Sequence, residues 1–215
     1  MAREPTEKEK LFFNAIYPLL QKVDSNEERV LVAWSIMADA WEQLSFMAKQ
    51  DPGPSIACRR GCSYCCRINV DVGWVEAAVI AAEVMAELPE LEPVLRAEAQ
   101  ARAGKEPAEI FGRACVFLAG GECMIYEHRP MICRGYSSLD VGACAGGVHA
   151  QVPSVEELLV VAKTLAGLLI RFHVGRPADA PLGGELSAMV VSEIDRQRAA
   201  PENPDSPTVP VAAEP

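Results

Sequence analysis

Eight cysteines, all falling between Cys58 and Cys144 of a 215-residue chain, constrain this sequence more than any other feature. Thiols at this density either pair as disulfides or converge on a metal, and either outcome pins distant parts of the chain together. The opening MAREPTEKEK carries charges of both signs and no apolar h-region, so it does not read as a secretory signal. The expected compartment is therefore the reducing cytoplasm, where clustered cysteines point to metal or redox chemistry before structural disulfides.

The spacing sharpens this expectation. Cys58-x3-Cys62-x2-Cys65-Cys66, in the string CRRGCSYCC, has gaps short enough for one loop to turn several thiolates toward a common point, as zinc and iron–sulfur sites both require. Cys115, Cys123, Cys133 and Cys144 are too widely spaced for one loop. They complete the first site if the chain folds back on it, or they hold a second metal. Cys65 and Cys66 are adjacent, and neighbouring side chains diverge, which suggests two sites, a bridging ligand, or one ligand with a reactive neighbour. Four thiolates suit zinc and iron equally, so the residue types leave zinc and an iron–sulfur cluster both open. His128 and His149 lie in the second group and His173 beyond it; with eight thiols present, all three read as ordinary histidines, and Tyr126 and Tyr136 as packing residues.

The surrounding charge supports a thiolate site. The formal net charge is -10, yet Arg59, Arg60, Arg67, Arg113, Arg129 and Arg134 all stand within six residues of a cysteine. Guanidinium groups near thiolates lower their pKa, orient the sulfurs by hydrogen bonding, or bind an anionic substrate. Arg129 and Arg134 are the candidates for contacting a cofactor or substrate. The same net charge argues against nucleic acid and against anionic membrane surfaces, because phosphate neutralisation needs a basic face.

At these residues the sequence resembles the YkgJ-type cysteine cluster family of zinc- or iron-chelating domains. The resemblance rests on GCSYCC with Cys62, Cys65 and Cys66, on Cys115 in CVFL, and on GECMIYEHRPMICR with Cys123, Tyr126, Arg129, Pro130, Cys133 and Arg134. Cys144 lies outside the matched strings. The resemblance implies chelation by these cysteines and, through flagellin lysine N-methylase-like relatives, an iron–sulfur methyl-transfer enzyme acting on protein lysines. S-adenosylmethionine is allowed by that likeness but has no motif of its own here. Cys58-x3-Cys62-x2-Cys65 with Tyr64, and Gly120-Gly121-Glu122, also resemble elements of radical S-adenosylmethionine enzymes, without the βα repeats that build their barrel.

Elsewhere the pattern is helical. Thr6 with Glu9 opens a helix carrying Phe12, Phe13, Ile16, Leu19 and Leu20, with Pro18 as a kink or end. Ser25 with Glu28 opens a longer one whose packing face runs Leu31, Trp34, Met37, Trp41, Leu44 and Ala48, stopped at residues 51–54. Ile68, Val70 and Val72 read as a brief strand, 74–88 as a helix, and Leu91, Val94 and Leu95 as another closed by Gly104. Ser154 with Glu157 caps an apolar helix whose Glu156, Glu157, Lys163 and Arg171 exclude a bilayer span, and a last helix runs from Gly184 to about Ile194. The expected architecture is all-α around an irregular cysteine-rich centre. It divides into an N-terminal helical segment (1–55), a metal-binding core (56–150), C-terminal helices (151–199) and an acidic, Pro-rich tail (200–215). No nucleic acid or membrane partner is expected; a protein partner or substrate is left unidentified.

Overall fold

A computed structural model describes residues 6–50, 56–146, 155–172 and 180–199. The first helix, α1 (Glu7–Gln21), runs through Pro18 instead of stopping there. Proline removes one backbone donor, but the last turn is held by tertiary packing: Leu20 is buried with Leu168 and Phe172, against Phe13, Ile16 and Tyr17. Arg29 closes the connection to α2 (Asn26–Gln50). Its Nε donates to the Leu20 carbonyl at 3.0 Å, its Nη1 to Asn26 Oδ1 at 2.8 Å and its Nη2 to the Val23 carbonyl. The guanidinium also lies 4.5 Å from the Phe172 ring centroid. Carbonyls that a helix C-terminus leaves unpaired thus find a buried cation.

Ser25 accepts from the Glu28 N–H at 3.1 Å, as the start of α2 requires. The buried stripe of α2 is Val30, Ala33, Trp34 and Met37, while Leu31 is 51% exposed. The expected face thus holds at Trp34 and Met37, with Trp41 packed against the core, and departs from expectation at Leu31, whose place is taken by Val30. The side chains of Leu44 and Ala48, the stop at 51–54 and the tail at 200–215 fall outside the described residues.

Strand β1 (Asp71–Gly73) is shorter and later than the alternating run suggested. Its antiparallel partner is β4 (Gly183–Glu185), in the register Asp71↔Glu185, Val72↔Gly184 and Gly73↔Gly183. Gly184, expected to open the last helix, belongs to this ribbon, and the helix α9 is Leu186–Ala199. Between them come α3 (Trp74–Glu87), α4 (Glu92–Arg102) and the short α5 (Pro107–Ile110). Gly104, at φ +69°, turns the chain after α4.

A hairpin, β2 (Leu118–Ala119) with β3 (Glu122–Cys123), follows. Gly120 and Gly121 form its turn with φ of +60° and +89°, the pair of positive values that a tight hairpin turn demands. The Gly-Gly-Glu string is thus turn chemistry. Both ribbons are two-stranded and antiparallel among the described residues, so no frame for a βα barrel exists there.

Two short helices, α6 (Met131–Gly135) and α7 (Val141–Ala145), complete the cysteine-rich part. The apolar helix α8 (Glu156–Leu169) buries Leu158, Ala162, Leu165, Leu168 and Leu169. Ser154, expected to cap it, falls outside the described residues. No helix among the described residues is long and apolar enough to cross a membrane. The fold is mostly helical, as expected, with α3 between α2 and α9, and α8 lying across α1, α2 and α6.

Candidate metal centre

The first four cysteines lie on a loop shaped by backbone bonds. Gly61, at φ +83°, lets the Cys62 N–H reach the Arg59 carbonyl at 3.0 Å. A 3₁₀ turn, Tyr64–Arg67, follows, with Cys66 N–H bonded to the Ser63 carbonyl at 3.1 Å. Successive residues of such a turn point about 120° apart, whereas residues three apart align. Cys66, whose ψ of 18° departs from the regular turn, nevertheless keeps its sulfur within hydrogen-bond reach of Cys65.

Three other segments close on this loop. The first is 137–144: the Ser138 carbonyl accepts from the Ala57 N–H at 2.8 Å, and the Ser138 N–H donates to Cys58 Sγ at 3.2 Å. Asp140 then caps α7 through the Gly142 N–H at 2.7 Å, and α7, carrying Cys144, packs on the 3₁₀ turn. In the second segment, the Cys115 N–H bonds to the Cys66 carbonyl at 2.7 Å and the Gly112 N–H to the Arg67 carbonyl at 3.0 Å. The hairpin places Cys123 opposite Leu118. The third is α6, which brings Cys133 in and is held from two directions. The Met131 N–H donates to Glu76 Oε1 at 2.7 Å, and Gly135 lies against Ala162 and the backbone of Leu158 in α8.

The thiols sense one another. Cys65 donates to the Cys66 sulfur, which raises the Cys65 pKa and lowers that of Cys66. Burial pushes the thiols of Cys58, Cys123 and Cys133 up, and that of Cys115 up to about 11. Cys62, Cys65 and Cys144 add negative charge beside Cys58; Cys115, Cys123 and Cys133 do so beside Cys66. The only cation that counters Cys65, Cys123 and Cys133 together is Arg129, among the described residues' leading contributions.

Arg129 and Arg134 both stand at the thiols, and both are pinned. Arg129 donates from Nε to the Tyr126 carbonyl at 2.9 Å and lies 3.7 Å from the Tyr126 ring centroid. Arg134 donates from Nε to the Arg129 carbonyl at 2.8 Å and from Nη2 to the Glu127 carbonyl, and it lies 4.5 Å from the Trp34 ring centroid. Burial holds the Arg134 pKa down to about 10. Of the other expected arginines, Arg60 stacks at 5.0 Å on Tyr126, Arg67 donates to the Gly112 carbonyl, and Arg113 pairs with Glu98 at 2.9 Å.

A cavity of about 310 Å³ separates α2 from the cysteine loop; Cys58, Cys62, Cys65 and Cys133 line it, with Arg59, Arg129 and Arg134, beneath Met37 and Trp41. A smaller one, about 70 Å³, is lined by Cys66, Cys115 and Cys123, and shares Cys62, Cys65 and Cys133 with the first. His128 packs on Trp34 at 5.6 Å and stands 3.6 Å from Glu83; His149 and His173 fall outside the described residues. Tyr126 and Tyr136 line the larger cavity, Tyr126 as the platform for two guanidinium groups.

Sequence reading missed three residues that shape this site. Glu76 is 1% exposed and its carboxyl is pushed up to about 7 by burial, against the Met131 N–H and Arg134; the Trp34 Nε1 stands near without meeting hydrogen-bond geometry. A single acid in the apolar run WVEAAVI was the available signal. Arg102, also buried, pairs with Glu98 at 2.7 Å and Glu185 at 3.5 Å and donates to the Ala114 carbonyl beside Cys115. Ser138, whose backbone anchors Cys58, had no signal.

As placed, no three His, Cys, Asp or Glu side chains among the described residues meet in a geometry that could hold a metal ion. Coordination thus requires thiol side chains to rotate. The donor set nevertheless fits zinc or iron: soft sulfur donors, drawn from four segments, beside the half-buried Arg129 and Arg134.

Residues 57–153 match the family model CxxCxxCC, described as "Putative zinc- or iron-chelating domain". This agrees with the resemblance drawn from the sequence. Read literally, the family name has two residues in its first gap; here the gap holds Arg59, Arg60 and Gly61, and Gly61 forms the left-handed turn. No curated protein and no solved structure matches the chain.

Proposed function

Because residues 57–153 match the family model described as "Putative zinc- or iron-chelating domain", we propose that the protein binds zinc or iron through its clustered cysteine thiolates, and that the bound metal ties the four segments around the 3₁₀ turn into one unit. The single observation that carries this is the gathering of cysteines from 58–66, 115–123, 133 and 144 around one loop, under the Arg129 guanidinium. The candidate ligands are Cys58, Cys62, Cys65, Cys66, Cys115, Cys123, Cys133 and Cys144. When bound, the metal would supply thiolate cross-links or, as an iron–sulfur cluster, an electron-transfer centre. The protein's own contribution is to deprotonate and orient the thiols. Since Cys115 has its pKa at about 11 before any cation arrives, binding must release protons, and apparent affinity falls as pH falls.

Metal and sulfide analysis of protein purified without oxygen tests the reading. Brown protein containing iron and sulfide, or colourless protein containing zinc, supports it; freshly purified and reconstituted protein with neither metal overturns it. A second reading has one observation in its favour, the cavity of about 310 Å³ that joins four thiols to Arg59, Arg129 and Arg134. It makes the chain an iron–sulfur enzyme of redox or protein-lysine methyl-transfer type, with Arg129 and Arg134 beside the substrate. Anaerobic assay of reconstituted protein with S-adenosylmethionine and a whole-cell protein extract is its test, and absence of turnover counts against it.

A further inference from the structure

We infer that the cavity between α2 and the cysteine loop is a binding site for a small organic carboxylate, its charged end on Arg129 and Arg59 and its apolar body against Met37 and Trp41. This rests on the reading that puts a substrate beside Arg129 and Arg134, and it names that molecule's chemical class.

The cavity measures about 310 Å³, room for about ten waters at ~30 Å³ each and the size of a small-molecule site. An ion held by thiolates at about 2.3 Å fills only a small part of it. Its walls differ in kind. On one side α2 presents the buried Met37 and the indole of Trp41; on the other stand thiols and three guanidinium groups.

Among the described residues no carboxylate lines the cavity, although the chain has 30 acidic residues against 20 basic ones. Arg96, Arg102, Arg113, Arg196 and Arg198 each hold a carboxylate at 2.5 to 2.9 Å. Arg59, Arg129 and Arg134 form no ion pair among the described residues; Glu76 and Glu127 lie near Arg134 without pairing with it. Arg129 is the best prepared of the three. Its Nε is committed to the Tyr126 carbonyl at 2.9 Å, and its guanidinium lies 3.7 Å from the Tyr126 ring centroid. Its two Nη groups donate to no described residue, and together they offer the fork that grips both oxygens of a carboxylate. A guanidinium already fixed in place loses little freedom on binding. Arg59, exposed on the loop, gives the cavity a second cation. Thiols that become thiolates on metal binding repel added negative charge, so a carboxylate monoanion suits the cavity better than a phosphate dianion. The indole of Trp41 rewards a flat, apolar body.

The test uses the full chain purified without oxygen, with metal content measured on the same sample. The probe is 4-fluorobenzoate, followed by broadening of its fluorine resonance; 4-fluorobenzyl alcohol and inorganic phosphate are the comparisons. Binding at about a millimolar or tighter is expected, with the alcohol about tenfold weaker and phosphate failing to displace the probe. Arg129→Gln should weaken binding about tenfold or more, as loss of a charge-assisted pair does; Trp41→Ala should weaken it too, and Arg198→Gln, on the α4–α9 surface, should leave it unchanged. No broadening with the wild-type chain overturns the site, which needs no variant to show. Equal binding of the alcohol, displacement by phosphate, or wild-type affinity in Arg129→Gln overturns it as well. Protein that carries zinc or iron yet ignores the probe keeps the proposed metal binding and loses this inference. Protein that binds the probe but shows no turnover with S-adenosylmethionine keeps this site and loses only the enzyme reading.

Discussion

Replacing Gly135 with alanine tests whether α6, and with it Cys133, is positioned by backbone-level contact with α8. A Cβ at 135 would lie 2.3 Å from the Ala162 Cβ, 2.9 Å from the Leu158 carbonyl oxygen and 3.3 Å from the Leu159 Cα. Carbon atoms rest at about 3.5–4.0 Å, so α6 has to withdraw from α8 by about an ångström. Two of the three obstacles are backbone and cannot rotate away, which places the cost in the upper part of the ~1–3 kcal/mol range for overpacking. Better helix propensity returns up to ~1 kcal/mol. A net loss of about 2 kcal/mol follows, or a fall in Tm of about 4–8 °C for a chain of this size. Gly167, in α8, has nothing within 4 Å of its added Cβ, so Gly167→Ala should instead raise stability by about 0.5–1 kcal/mol. Thermal unfolding of both variants, with metal and after chelation, is the assay. Adding Ala162→Gly to Gly135→Ala relieves the closest contact but not the one to the Leu158 carbonyl, so partial recovery with a coupling of about 1 kcal/mol is expected. A Gly135→Ala protein that melts at or above the wild type, beside a normally behaving Gly167→Ala, would show that α6 is free to move and refute the argument.

Other outcomes follow from the buried charges. The Glu76 carboxyl titrates at about 7 in the fold against an ordinary 4.5, mainly because it is buried, so the folded state holds the proton more tightly. That contribution is full below pH ~4.5 and is lost as pH rises through ~7, an effect on the order of 3 kcal/mol; Glu76→Gln should flatten the stability profile across this window, as denaturant melts at several pH values will reveal. Arg102→Leu leaves the half-buried Glu98 and Glu185 carboxylates without their shared partner and should cost roughly 2–4 kcal/mol in chemical denaturation. Arg134→Lys keeps the charge but loses the flat stack on Trp34 and the fork to two carbonyls. A cost of about 1–2 kcal/mol is expected, with faster amide exchange confined to residues 126–134, and exchange unchanged from wild type would contradict it. Chelating the metal should lower Tm and open residues 57–146 to protease; an identical melt and digestion pattern would rule out a structural role.

Local rules read several elements correctly. Helix α3 was legible because its apolar run is long, and α2 because Ser25 supplies a cap three residues before an N–H that needs one. Gly104 ended α4 for the reason glycine usually does. The misreadings share one physical cause. Pro18 fails to end α1 because Leu20 and its neighbours are held by α8 and Phe172, far along the chain. Leu31 faces solvent because the core selects the Val30 stripe. Gly184 joins a ribbon because β1, more than a hundred residues earlier, offers it a partner. In each case a distant contact outweighed a local preference, about 3 kcal/mol for Pro18 and ~1 kcal/mol or less for the other two.

At the candidate centre the division is similar. Residue types and spacing alone pointed to cysteine chelation of zinc or iron, in agreement with the family match, because thiols separated by two or three residues can turn toward one ion. Which thiols become neighbours was decided only by tertiary structure. Ser138 must return to Cys58, Cys115 must bond to the Cys66 backbone, and α6 must be held between Glu76 and α8 before the second group meets the first. Those are contacts across 23 to 80 residues of chain, and a sequence records the groups that make them but not the distances that close when a core forms.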